Sequence, residues 1–297
     1  MRDRHTFSQN IIAVVYDFDG TLSPQPMQEY TVLPSLGIDA QAFWDEVAKE
    51  AKETDSEGML VYMRLLLEKT EERKVHIGKK DLAKLAVGIK YFPGVESWFT
   101  RINNFVKKEG GGKTKIRHYV ISAGMKEILE GVSIRKLFFN VFASEYHFNH
   151  HGVATFPKQL ITDTIKTQFL FRINKGKEKL SESINQHTPE HKRPIPFSNI
   201  IYIGDGLTDV PSMTVTKQLG GHAVAVHKKQ STKGVQVCKE LLTANRVDFI
   251  APADYSVSKI LETRMHLLLK SVIAKVDYER ELFSCKRKNK LLPSNGT

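Results

Sequence analysis

Residues 11–21, Ile-Ile-Ala-Val-Val-Tyr-Asp-Phe-Asp-Gly-Thr, constrain the fold of this chain more than any other stretch. The run Ile11–Tyr16 is apolar and rich in β-branched residues, is too short to cross a membrane, and stops abruptly at a polar turn. It reads as a strand buried on both faces, as in a parallel sheet. Open α/β sheets place their ligands at the carboxyl ends of such strands, and Asp17 and Asp19 fall at that end. Gly20 allows the sharp turn that follows, and Thr21 can hydrogen-bond within it. Two carboxylates this close repel each other and raise one pKa unless a cation neutralises them.

Two more apolar runs end in the same way. Arg117-His118-Tyr119-Val120-Ile121 stops at Ser122-Ala123-Gly124, and residues 199–203 stop at Gly204-Asp205-Gly206-Leu207-Thr208-Asp209. Between them, Thr164-Ile165-Lys166-Thr167 opens a helix patterned by Phe169, Leu170 and Ile173. Residues 141–146 and 153–156 flank Asn149-His150-His151-Gly152 and predict a hairpin. Further strands are expected at 223–227 and 248–250, and helices at 96–106 and from Lys126. Strands alternating with helices imply a doubly wound, Rossmann-like parallel sheet.

Residues 24–92 carry no strand pattern. Ser23-Pro24-Gln25-Pro26 makes a hinge. Asp39 can cap a helix bearing Phe43, Trp44, Val47 and Ala51. Met59, Tyr62, Met63, Leu66 and Leu67 recur at three- and four-residue spacing, and Leu82, Leu85 and Ala86 form a shorter stripe. The expected organisation is an all-helical cap, 24–92, inserted into an α/β core made of 1–23 and 93–284. Residues 175–196 read as a polar loop projecting outward. Ala253-Asp254-Tyr255-Ser256 is expected to cap a last helix reaching Leu268 or Phe283, followed by a disordered basic and polar tail, 285–297.

A chain of 297 residues with 41% hydrophobic and 26% charged side chains can bury a sizeable core. No stretch approaches the roughly 20 apolar residues of a membrane helix, and the first apolar run is too short for a signal peptide. Cys238 and Cys285 lack metal-ligand spacing, which suggests a reduced, cytoplasmic setting. The net charge of +11 favours acidic substrates. Its concentrations at 101–117, 175–193 and 275–290 present no known nucleic-acid-binding motif, so nucleic acid is not an expected partner. Oligomeric state has no sequence signature here.

The strand-end Asp-x-Asp-Gly-Thr, the strand-end Ser, the helix Lys and the Gly-Asp-Gly-x-x-Asp loop, in that order, resemble the haloacid dehalogenase superfamily of phosphatases. The resemblance covers roughly residues 10–265 and is greatest to the phosphoserine-phosphatase branch, which carries a small helical cap. It implies a Mg²⁺-dependent phosphomonoester hydrolase acting on a small phosphorylated metabolite through an aspartyl-phosphate. Asp17 would be the nucleophile and Asp19 the general acid and base. The metal would be held by Asp17, the backbone carbonyl of Asp19, Asp205 and Asp209. Phosphate would be met by Thr21, by Ser122 with the N–H groups of Ala123 or Gly124 at a helix start, and by Lys166, with Lys175 as a rival lysine.

Two departures from the family pattern stand out. Thr208 occupies a position where many relatives have Asn. Glu29 comes slightly later than the acidic residue with which phosphoserine phosphatases meet a substrate ammonium, so phosphoserine is not the first expectation. The same intermediate would also serve a phosphotransferase or mutase. A dehalogenase would need neither Asp19 nor the metal loop, and a non-enzymatic polyanion-binding module would be indifferent to Asp17. Gly110-Gly111-Gly112-Lys113-Thr114 imitates the end of a nucleotide-binding loop, but Lys107 stands where its leading glycine belongs and the run precedes a strand. It reads as a surface turn, and His147, His150 and His151 read as solvated hairpin residues. Arg64 could either reach a substrate or pair with Glu68.

Overall fold

The computed structural model describes residues 6–75 and 78–289. Seven strands form one sheet: β1 (Ile11–Tyr16), β2 (Lys115–Met125), β3 (Asn140–Phe148), β4 (Ala154–Gln159), β5 (Ile200–Gly204), β6 (His222–His227) and β7 (Phe249–Pro252). Their order is β4-β3-β2-β1-β5-β6-β7. All neighbours are parallel except the hairpin pair β3 and β4. β1 is therefore central, and the chain moves away from it on one side through β2 and on the other through β5. That reversal leaves a crevice at the carboxyl ends of β1, β2 and β5, where open sheets bind ligands.

The helices are α1 (Met27–Tyr30), α2 (Val32–Ser35), α3 (Ala40–Thr54), α4 (Gly58–Glu72), α5 (Lys79–Leu85), α6 (Val95–Glu109), α7 (Lys126–Leu129), α8 (Ile165–Lys175), α9 (Val210–Gln218), α10 (Thr232–Thr243) and α11 (Ile260–Lys288). Side chains of β1 alternate between two cores. Ile12, Val14 and Tyr16 join Trp98 and Phe99 of α6 and Met265 and Leu269 of α11. Ala13 and Val15 join Phe169 and Ile173 of α8, Met213 of α9 and Leu241 of α10. Both faces are covered, which is why the strand sequences are nearly continuous apolar runs.

Helices α1 to α5 lie between β1 and β2. The Asp39 carboxylate caps α3 by accepting from the Ala42 N–H at 2.9 Å, and Phe43 and Val47 pack into one core with Tyr62, Leu65 and Leu66 of α4. The one-turn helices α1 and α2 have no counterpart in the sequence reading, because four residues are too few to display a period.

Four expectations change. The last helix begins at Ile260 after Lys259, not at residues 253–256. There Asp254 accepts from the Ser256 N–H at 3.1 Å, and Tyr255 turns inward, fully buried edge-on to Trp98. Its hydroxyl donates to the Thr21 carbonyl at 2.9 Å, tying β7 to the first Asp loop. At its other end α11 runs through Lys288, where Lys286, Arg287 and Lys288 complement the negative helix terminus. The helix therefore takes in 285–288 of the expected tail, and 290–297 lie outside the described residues. The helix begun at Lys126 lasts one turn. Finally, residues 177–186 do not project freely. The buried Arg172 guanidinium donates to the carbonyls of Lys177, Lys179 and Glu182 and folds the loop back on α8. Among the described residues no helix is long and apolar enough to cross a membrane.

Candidate active site

The Asp17 N–H donates to the Ile203 carbonyl at 2.9 Å, so the ends of β1 and β5 are locked side by side. The loops that follow, carrying Asp19 and Asp205, must then share one space. Gly20 makes this possible: its φ is +84°, and a Cβ there would lie 2.1 Å from Asp205 Oδ2. We expect Gly20→Ala to cost about 1–3 kcal/mol through backbone strain and to displace the Asp205 carboxylate. Wild-type melting together with wild-type catalytic activity would show that the loop yields freely.

At the bottom of this space two carboxylates grip one ammonium, and a third carboxylate, that of Asp205, lies beside them. Lys166 Nζ donates to Asp17 Oδ1 at 2.8 Å and to Asp209 Oδ1 at 2.7 Å. The Tyr202 hydroxyl donates to Asp209 Oδ1 at 2.7 Å, and the Asp205 N–H to Asp209 Oδ2 at 3.2 Å. Thr21 Oγ1 donates to Asp17 Oδ2 at 3.3 Å. Asp17, Lys166 and Asp209 are 5%, 1% and 0% exposed, so water screens little of their interaction. Oxygen atoms of Asp17, Asp205 and Asp209 all lie within 4.8 Å of one another.

One lysine cannot balance three carboxylates in so dry a place. Burial pushes the Asp17 carboxyl up to about 6 even with Lys166 beside it. Burial, then Asp17 and Asp209, push Asp205 up to about 8. Burial works against the Lys166 ammonium, but Asp17 and Asp209 hold its pKa well above the usual lysine range. A donor set made of carboxylate oxygens with uncompensated negative charge fits a hard divalent cation that keeps some of its own water. The Asp209 oxygens already accept from Lys166, Tyr202 and the Asp205 amide, so Asp17 and Asp205 have the freer oxygens.

Asp19 lies outside this carboxylate cluster. Its Oδ1 accepts from the Met27 N–H at 2.9 Å, and burial, followed by the Asp17 charge, holds its pKa well above the normal carboxyl range. Burial and its charged neighbour thereby favour the protonated form of Asp19, the arrangement by which one site can run acid and base chemistry near neutral pH.

Ser122 is buried within the last part of β2, and its Oγ accepts from the Gly124 N–H at 3.0 Å. The strand continues to Met125 with a register shift between Ser122 and Met125, so Ala123 and Gly124 do not open a helix. The reason is Met27, whose Sδ accepts from the Met125 N–H at 3.2 Å and whose methyl fills the space beside Gly124. Lys175 is remote from Asp17 in its contacts: its ammonium donates to the carbonyls of Ile184 and Gln186. Arg64 pairs with both Glu50 and Glu68. His147 stacks on Phe156 and contacts Thr155, and the glycine run at 110–112 closes α6 as a turn. Among the described residues Asp17, Asp205 and Asp209 form the one His, Cys, Asp or Glu cluster with metal-ligand spacing.

Sequence reasoning missed two features. The sequence reading treats Tyr202 as strand filling, although a phenol within an aliphatic strand needs a polar partner when buried. It also missed a cavity of about 290 Å³ that opens beside Asp19. Ala123 and Gly124 form its core side, Trp44, Met59 and Tyr62 its helical side, and Gln28 and Glu29 lie between. Helical spacing alone places Trp44 and Tyr62 on buried faces and gives no sign of a cavity between them.

The haloacid dehalogenase-like hydrolase family model matches residues 14–214, and the chain belongs to that family. It is 28% identical over 272 residues to an uncharacterised protein of Borreliella burgdorferi, covering 84% of this chain and 93% of that one. Among solved structures, a HAD family hydrolase from Salmonella enterica aligns with a TM-score of 0.55 at 15% identity, over 84% of this chain and 69% of the other. A phosphoserine phosphatase in the form of a phospho-aspartyl intermediate analogue aligns with a TM-score of 0.54 at 16% identity, over 86% and 99%. These structures share the fold: a mostly parallel sheet with flanking helices.

Proposed function

We propose that this protein is a Mg²⁺-dependent phosphomonoester hydrolase that acts on a small phosphorylated metabolite through a phosphorylated Asp17. The observation that carries the reading is the Asp17 carboxylate, gripped by Lys166 and facing Asp205, with Asp19 two residues on at the mouth of a small cavity. A hydrolase of this family in which Asp19 is a neutral acid is suited to an ester whose leaving oxygen needs a proton. Carbon–halogen cleavage has no such need.

In this mechanism an Asp17 oxygen attacks phosphorus and the ester P–O bond breaks. Asp19 gives its proton to the departing alkoxide, so the leaving group departs as a neutral alcohol. Water then attacks the phosphorus of the Asp17 acyl phosphate while Asp19 takes up its proton; the P–O bond to Asp17 breaks, and inorganic phosphate and free Asp17 result. Lys166 fixes the Asp17 carboxylate and neutralises one charge throughout, Thr21 offers a hydroxyl already bonded to Asp17, and Ser122 would meet a phosphoryl oxygen. A Mg²⁺ held by Asp17, the Asp19 carbonyl and Asp205, with Asp209 supporting through its hydrogen bonds, would supply positive charge against the phosphate. Transfer of the phosphoryl group to an alcohol instead of water uses the same first half. The unpaired cysteines, Cys238 and Cys285, support a reduced compartment.

The metal site can be tested without turnover. Mg²⁺ at about one hundred times its Kd is expected to stabilise the fold by about 2.7 kcal/mol, read as a rise in melting temperature. Asp205→Asn should raise the half-saturating Mg²⁺ concentration at least about tenfold, the least that changes around metal ligands usually cost. It should also leave the metal-free protein no less stable than wild type, since it removes a repelled carboxylate. Wild-type melting that ignores Mg²⁺, or an unchanged titration in Asp205→Asn, would remove the metal from the proposal.

A further inference from the structure

The cavity beside Asp19 has a chemistry of its own. Its volume of about 290 Å³ sits at the lower limit of small-molecule sites, which run from roughly 300 to 1,000 Å³. Because it adjoins Asp19, Ala123 and Gly124, an alcohol leaving a phosphoryl group on Asp17 departs into it. Two of its walls are aromatic: the rings of Trp44 and Tyr62 have centroids 5.5 Å apart and planes inclined at 43°. Glu29 Oε1 accepts from the Trp44 indole N–H at 3.1 Å, which fixes a carboxylate at the ring edge.

No lysine or arginine among the described residues lines the cavity. The arginine of α4, Arg64, is already engaged by Glu50 and Glu68. Gln28 is 3% exposed, donates through Nε2 to the Tyr62 hydroxyl at 2.8 Å, and keeps Oε1 buried without a partner. The pocket thus presents π faces and a carboxylate, and no cation among its lining residues to receive a negative group.

We infer that the substrate's leaving group is a compact cationic amino alcohol without a carboxylate, its ammonium held by Glu29, Trp44 and Tyr62. This rests on the phosphomonoesterase reading above and narrows it to one substrate class. Aromatic faces attract an ammonium through their quadrupoles, and Glu29 adds a full opposite charge. A phosphorylated amino acid would bring a carboxylate against these walls with no cation to meet it, a mismatch that discriminates as strongly as any attraction. A nucleotide or a sugar phosphate would leave Glu29 without a counter-charge.

The test measures kcat/KM of the full chain with Mg²⁺ on ethanolamine phosphate, choline phosphate, phosphoserine, glycerol 3-phosphate and p-nitrophenyl phosphate. At least one of the two cationic amino-alcohol esters is expected to exceed phosphoserine and glycerol 3-phosphate by tenfold or more. Ethanolamine phosphate ahead of choline phosphate would identify N–H donation as part of recognition, and the reverse order would identify the aromatic faces as dominant. Glu29→Gln, which keeps an acceptor for the indole, should reduce the ratio of cationic to neutral ester at least fivefold; Trp44→Leu should do the same. Should one variant fail to fold, as judged by its melting curve, the other still reads the ratio. Turnover of p-nitrophenyl phosphate without a preference for the cationic esters overturns this inference alone. An unchanged ratio in a folded variant does so too. Loss of turnover on every ester overturns the phosphatase reading and this inference with it.

Discussion

Asp17→Asn is expected to lower phosphate release from p-nitrophenyl phosphate at least about 10³-fold, the scale on which removal of a nucleophile acts, while the protein keeps its melting temperature. The two halves of this result have separate causes. An amide oxygen does not form the acyl phosphate, so the first chemical step disappears. The fold is spared because Lys166 keeps its 2.7 Å bond to Asp209 and Asn can still accept from the ammonium. In the metal-free protein Asn also relieves the repulsion that raises Asp205, so the melting temperature should be unchanged or slightly higher. Mg²⁺-dependent turnover that persists in a pure Asp17→Asn preparation would end the nucleophile assignment. A large fall in melting temperature would show that Asp17 is structural.

Lys166→Ala should have the larger effect on stability. It leaves Asp17 and Asp209 facing each other at 5% and 0% exposure with no ammonium between them. Breaking a buried pair in this way costs about 3–5 kcal/mol, part of which Mg²⁺ should restore. Activity should fall as well, because the Asp17 carboxylate loses its orientation. Lys175→Ala removes an ammonium that binds only carbonyls of the 177–186 loop, so it should leave phosphate release within a few-fold of wild type. If the two variants ranked the other way in activity, the ion pairs seen at Lys166 would not be those used in turnover.

Much of this arrangement was legible before the fold was known. Ile11–Tyr16 and residues 199–203 announce strands because a parallel strand covered on both faces must be apolar at every position. The carboxylates that interrupt each run can then lie only at the strand ends. The sequence favours Lys166 while leaving Lys175 a rival, because Lys166 opens a helix whose period buries Phe169, Leu170 and Ile173. Errors arose where a short segment's fate depended on distant chain. Asp254 and Ser256 have the composition of a helix cap, yet Tyr255 is drawn under Trp98 and the helix starts later. Ala123 and Gly124 were placed at a helix start, but Met27, from almost a hundred residues away in sequence, occupies the space and keeps the backbone extended.

The sequence alone determined the fold class, the strand ends and the identities of the groups that could share a charge problem, since hydrophobic period and carboxylate position are local properties. Only the tertiary structure decided which of those groups meet. It sets Asp205 where Gly20 leaves room for it, Tyr202 against Asp209, and Glu29 with Trp44 beside Asp19. Distances between side chains far apart in sequence follow from how the sheet and its inserted helices pack, and no local pattern encodes that packing.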